Sequence, residues 1–199
     1  MSNSQNISNK YFLKEYFNQF KSLIEPTNIL FENLCSFAQS LKNMHSRGNK
    51  AIIVGNGGSA AIASHFSVDL TKNTSIRCMN FNEYDLITCF ANDYGYEQWI
   101  EKAVELYGNK GDVLIAISSS GSSENILNGC HAAREKQFSK VFTFSGMKAN
   151  NPLKQLGDIN LWVNSKAYNH IENIHQFWLL AVVDLVIGKA EYSVNSDAS

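Results

Sequence analysis

With 199 residues, of which 44% are hydrophobic and 18% charged, the chain has the size and composition of one globular domain around one sizeable core. A formal net charge of -1 supplies no basic field for nucleic acid or an anionic membrane. Cys35, Cys78, Cys89 and Cys130 form no C-x-x-C pair, which argues against a structural zinc site and a secreted disulfide framework.

Residues 1–10 and 190–199 are rich in Ser, Asn and Asp and read as disordered tails around a single domain over 11–189. The first ten residues lack the apolar segment of a signal peptide. No apolar stretch approaches the roughly 20 residues that span a bilayer, so the cytoplasm is the expected compartment. The segment 11–24 has a helical pattern, with Phe12, Tyr16, Phe20, Leu23 and Ile24 on one side, and Pro26 stops it. Thr27 is suited to cap a second helix carrying Leu30, Leu34, Phe37, Leu41 and Met44. That narrow stripe suits helix packing, either on the chain's own sheet or on another subunit. From residue 50 the rhythm changes. Short apolar strands over 51–54, 76–81, 112–117, 141–144 and 159–163 alternate with helical stretches over 60–70, 85–91, 98–106, 124–136 and 170–187. This alternation predicts an α/β fold with a parallel sheet covered on both faces.

Two strand ends carry unusual loops. Gly55-Asn56-Gly57-Gly58-Ser59 allows close backbone approach and opens a helix whose N–H groups face an anion. Ser118-Ser119-Ser120-Gly121-Ser122-Ser123 adds hydroxyls to a second helix start. Alone, each loop reads equally well as a turn or cap. Together, each between a buried strand and a helix, they predict a neutral phosphate cradle. Neither is a Walker A nor a dinucleotide G-x-G-x-x-G, so ATP and NAD are not the expected ligands.

Three motifs carry a resemblance: V-G-N-G-G-S-A-A-x-A-x-H-F over 54–66, A-N-D-Y-G over 91–95 and G-D-V-L-x-x-I-S-x-S-G-x-S over 111–123. They resemble the sugar isomerase (SIS) domain family, and most closely its sedoheptulose 7-phosphate (phosphoheptose) isomerase branch, over about 11–188. The resemblance implies a flavodoxin-like three-layer sandwich with a central parallel sheet, preceded by an N-terminal helical pair. It implies aldose–ketose isomerisation of sedoheptulose 7-phosphate to D-glycero-D-manno-heptose 7-phosphate, for the heptose of lipopolysaccharide or capsule. It further implies a homotetramer with active sites between subunits. On this resemblance Ser59, Ser118, Ser119, Ser120 and Ser123 hold the phosphate, and Asn56, Gly57, Gly58, Asn92 and Asp93 line the sugar.

The chain departs from the family where acid and base are expected. The pattern H-F-x-x-E reads His65 to Asp69, with Glu shortened to Asp. On the last helix the family's Gln is Glu172, and its His eight residues on is Leu180. His65 and Asp69 are spaced i, i+4, and Glu172 and His175 i, i+3, so each pair shares a helix face. The four suit a divalent ion such as zinc, with His65, Asp69 and Glu172 as the ligand set. They equally suit a metal-free acid/base site of Asp69, Glu172 and His175, in which Glu172 and His175 replace the missing Gln–His pair. An acid near a helix start is also favoured by the helix dipole alone. His131 and His170 are expected on exposed faces or at a helix end. Lys166, Tyr168 and Asn169 form a loop within reach of the ligand. Two alternatives stay open: a non-catalytic SIS tetramer that binds a sugar phosphate or a protein, as in regulation of replication initiation, and an isomerase of another sugar phosphate. A ligand-sensing module is disfavoured, since no helix-turn-helix segment or basic patch is present.

Overall fold

The computed structural model describes residues 3–191. In chain order it comprises α1 (Asn3–Ile24), α2 (Asn28–Ser46), β1 (Ala51–Val54), α3 (Gly58–Thr74), β2 (Cys78–Met79), α4 (Tyr84–Tyr94), α5 (Trp99–Tyr107), β3 (Val113–Ser118), α6 (Glu124–Glu135), β4 (Lys140–Ser145), α7 (Pro152–Leu156), β5 (Ile159–Trp162) and α8 (Tyr168–Ile187). Thr27 does cap α2, its hydroxyl accepting the Leu30 N–H at 3.1 Å.

The five strands are all parallel, in the order β2-β1-β3-β4-β5. Alternate side chains enter opposite layers. Ile53, Ile115, Ile117, Phe142 and Phe144 pack with Phe37 of α2, Phe66 of α3 and Ile174 and Leu179 of α8. Ile52, Val54, Leu114 and Ala116 pack with Ile100 and Val104 of α5 and Ile126 of α6. The result is the three-layer sandwich expected from the sequence, with the N-terminal helices against the first layer. Burying both sheet faces is what makes β1 and β3 continuous apolar runs. At the opposite end from the loops, buried Asp112 pins the two strands together. It holds the Lys50 ammonium at 2.6 Å and accepts the Lys50 and Asn109 backbone N–H groups. Strand order changes direction between β1 and β3, the crevice where such sheets bind ligands, and both unusual loops open there.

Three local expectations change. The first helix starts at Asn3, not near Tyr11, so residues 3–10 are not a disordered tail; once a helix is nucleated, each added residue gains a hydrogen bond even on a polar, solvated stretch. Positions 1–2 and 192–199 of the expected tails lie outside the described residues. The strand expected over 76–81 shrinks to Cys78–Met79, and just before it a side chain takes a backbone group, Thr74 Oγ1 accepting the Ile76 N–H at 3.3 Å. A short helix, α7, intervenes before β5, capped by Asn151, whose Oδ1 accepts the Lys154 N–H. His170 lies at the start of α8, one of its two expected places, and is buried there, its ring 4.2 Å from that of Tyr16 and 5.8 Å from that of Phe20, because α1 lies across it. Among the described residues no helix is long and apolar enough to cross a membrane.

Candidate active site

A cavity of about 130 Å³ lies between the C-terminal ends of β1 and β3 and the start of α8. Asn56, Ser59, Ile117, Ser118, Ser119, Ser120, Ser123, Tyr168 and Glu172 line it. Its polar character follows from the two loops. Gly57, at φ +55°, turns the chain into α3, whose first N–H groups receive no side-chain cap. Ser123, which starts α6, also leaves its helix uncapped, because its hydroxyl bonds the Ser118 hydroxyl at 2.9 Å instead. The Ser119 hydroxyl is buried and has no hydrogen-bond partner among the described residues. A buried hydroxyl without a partner is costly unless a ligand completes it. Two uncapped helix starts, a ring of hydroxyls and this unfilled donor make an anion site without a cation among its lining residues.

Glu172 is the one carboxylate among the residues lining the cavity. It packs on Gly58, where an added Cβ would strike both carboxylate oxygens. The absence of a side chain at Gly58 is therefore what admits Glu172 to the site.

His175 is elsewhere. Fully buried in the layer beneath, it makes ring contacts with Phe144 and Trp178, and its Nε2 bonds the Ser145 carbonyl at 3.1 Å. The pairing of Glu172 with His175 expected from their spacing is thus corrected: one lines the cavity, the other belongs to the core. Burial pushes the His175 pKa down from its ordinary 6.5 to about 4. The unfolded chain takes up a proton as pH falls through 6.5, whereas the folded chain does not until about pH 4. Stability is therefore full above pH 6.5 and is lost on acidification from there to about pH 4, by about 3 kcal/mol in total. Urea midpoints between pH 7 and 4.5 check this. His175→Gln should flatten that slope, at the expense of stability at pH 7.

His65 and Asp69 share a face of α3, with Nε2 and Oδ2 3.3 Å apart, and are about half and one-third exposed. Neither lines the cavity. Gln176 of α8 meets His65 Nδ1 at 3.1 Å. Among the described residues no three His, Cys, Asp or Glu side chains converge. The set of His65, Asp69 and Glu172 does not fit a zinc site in this chain: Glu172 turns to the cradle while His65 and Asp69 face solvent, leaving two such donors together. Asn92 and Asp93 are exposed at the end of α4, bonded to each other at 2.9 Å, and are not among the cavity's lining residues.

Three participants carried little or no sequence signal. Asn125, buried in the first turn of α6, exchanges two amide hydrogen bonds with Asn56, each 2.9 Å. The Tyr96 hydroxyl donates to Asn56 Oδ1 at 3.2 Å from the turn after α4. Gln176 reaches His65 across two helices. An Asn after a Ser-rich cap, a Tyr in a turn and a Gln on an apolar helix are all commonplace, so sequence alone had no reason to select them.

The SIS domain family matches residues 15–143. The chain is 32% identical over 187 residues to the phosphoheptose isomerase of Helicobacter pylori strain 26695, covering 91% of this chain and 94% of that one. It is 32% identical over 152 residues to the phosphoheptose isomerase of Fusobacterium nucleatum, covering 74% and 77%. The solved phosphoheptose isomerase of Francisella tularensis superposes with a TM-score of 0.81 at 28% identity, covering 95% of this chain and all of that one.

Proposed function

Because the chain belongs to the SIS domain family and, within it, to the phosphoheptose isomerases, we propose that it interconverts sedoheptulose 7-phosphate and D-glycero-D-manno-heptose 7-phosphate. One SIS domain over 11–189 performs this in the cytoplasm, supplying the heptose of a lipopolysaccharide or capsule. The observation that carries the reading is a neutral anion cradle with a single carboxylate on its wall.

The phosphate sits among Ser59, Ser118, Ser119, Ser120 and Ser123, where hydroxyls and uncapped helix N–H groups neutralise it without a lysine or arginine. Asn56, Gly57 and Gly58 flank the sugar. Glu172 takes a proton from C1 of the ketose, exchanges it with solvent and delivers one to C2, while the O1 hydroxyl proton passes to O2 through solvent as the enediol collapses to the aldose. Asn92 and Asp93, exposed in one chain, contact the sugar from the neighbouring subunit's side. No step is assigned to a metal, since His65 and Asp69 supply two donors only.

Proton NMR with sedoheptulose 7-phosphate in D₂O tests the reading. The expected result is an aldoheptose phosphate deuterated at C2, at equal rates with added zinc and with chelator. A folded protein that binds the phosphate without conversion or exchange overturns it in favour of a non-catalytic sugar-phosphate-binding member of the family. The core position of His175 and Leu180 in place of the family's His favour that second reading.

The assembly is proposed to be a homotetramer built through α1 and α2. Tyr11, Phe12 and Phe17 are more than 60% exposed there. A neighbouring apolar groove of about 520 Å³ includes Ile24, Leu30, Phe31 and Phe177. Monomers rarely leave so much aromatic surface in water. Light scattering at micromolar concentration is expected to give about four times 22.3 kDa, and Phe12→Glu with Phe17→Glu a smaller species. A monomeric native protein overturns this.

A further inference from the structure

We propose that Asn125 is a positioning residue that locks Asn56 as a hydrogen-bond donor to the oxygen that gains negative charge during isomerisation. The inference rests on the isomerase reading above and goes beyond it, to the orientation of one amide.

The argument runs along a chain of bonds whose polarity is forced from one end. The Ile126 backbone N–H, 3.1 Å from the Asn125 amide, is a donor and nothing else, so the atom it meets is Oδ1. With Oδ1 fixed, the Asn125 amide cannot be turned over. The same Oδ1 accepts Asn56 Nδ2 at 2.9 Å, and Asn125 Nδ2 donates to Asn56 Oδ1 at 2.9 Å. The Tyr96 hydroxyl donates to Asn56 Oδ1 as well. Both acceptor positions of the Asn56 carbonyl are then filled and one of its two N–H groups is used. What Asn56 keeps for the cavity it lines is one N–H. A second amide, buried at 3% exposure, thus decides the polarity that the first presents to a ligand. In a site whose lining residues hold no cation, a fixed donor beside the sugar suits the oxygen that carries charge in the enediolate.

Asn125→Asp tests this with almost no change of shape. An ionised carboxylate still accepts the Ile126 N–H but sets an oxygen against Asn56 Oδ1. Turning the Asn56 amide over does not relieve this, since its Oδ1 then meets the other carboxylate oxygen; Asn56 is instead pushed from its place and its N–H is no longer held toward the ligand. The expected result is a fall in kcat of about 100-fold with KM moved by no more than about threefold. In an Asn56→Ala background, Asn125→Asp should cost nothing further in kcat, because its effect passes through Asn56. Asn56→Asp removes the same N–H with Asn125 intact and should reproduce the loss, which covers the case of Asn125→Asp failing to fold. Wild-type turnover with kcat of the Asn125→Asp or Asn56→Asp variant within threefold of it overturns this inference alone. So do losses that add in the double variant. Wild-type protein that turns over no sedoheptulose 7-phosphate overturns the isomerase reading, and this inference with it.

Discussion

Glu172→Gln is expected to lower kcat for sedoheptulose 7-phosphate by about 10²–10⁴-fold, the range that a positioned acid or base contributes, while moving Tm by no more than about 2 °C. The expectation follows from where the side chain is rather than from its charge. Ring hydroxyls and uncapped helix starts bind phosphate without it, and the cavity's other ionisable lining group is the phenol of Tyr168. The competing account gives Glu172 a purely structural role. It lies in the second turn of α8, just past the first turn over which a helix start favours a negative charge. That account predicts a small loss of Tm and unchanged kcat. Gly58→Ala separates the two from the other side. Its added methyl strikes the tip of the Glu172 side chain, which can swing away at small cost to the fold. Activity should fall with that displacement although the carboxylate is still present. Full activity in Glu172→Gln, with phosphate still protecting the fold, sinks the assignment.

How far the site was legible in the sequence differs between its two halves for a physical reason. The cradle was legible because its signals are local. A buried parallel strand must end in a loop, the loop opens a helix, and Gly or Ser there has few other tasks; β1 and β3 flank the place where strand order changes direction, so both loops meet. The acid/base half depended on which face of α8 points where. Glu172 and His175 differ by three residues, about 60° around a helix. That is enough to carry one to the cavity wall and the other into the layer of Phe144 and Trp178. The polar stripe of Asn169, Glu172, Asn173 and Gln176 says which side of α8 is wet, not which neighbour that side meets. The same limit hid the Gln176–His65 contact, which joins residues 111 apart. In β2 the pattern was right and the ladder was shorter, pairing only Ala51 with Cys78 and Ile52 with Met79 while the Thr74 side chain takes the Ile76 N–H.

Gly55→Ala should abolish protection by phosphate and destabilise the fold by about 1–3 kcal/mol. Its Cβ would come within 2.6 Å of both the Ser59 carbonyl carbon and oxygen, and within 2.7 Å of the Ser59 Cβ. These atoms cannot swing aside as the Glu172 carboxylate can. Ser59 is tied back by its own N–H to the Asn56 carbonyl at 3.0 Å and is already part of α3. Gly55 follows β1, whose residues are paired with β3 along their whole length. Relief therefore requires the first turn of α3 to move away from the sheet, and with it the N–H groups and the hydroxyl that receive the anion. Gly48→Ala is the matched control. Gly48 has φ +76° with nothing within 4 Å of an added Cβ, so alanine there costs about 1–2 kcal/mol of left-handed strain and leaves the cradle untouched. Thermal unfolding with and without millimolar inorganic phosphate reads the difference, since a ligand that binds only the native state stabilises it by RT ln(1 + [L]/Kd) and so raises Tm. Phosphate should raise Tm in wild type and in Gly48→Ala and leave Gly55→Ala unmoved. A Gly55→Ala protein protected as well as wild type would mean that the anion does not sit on the start of α3.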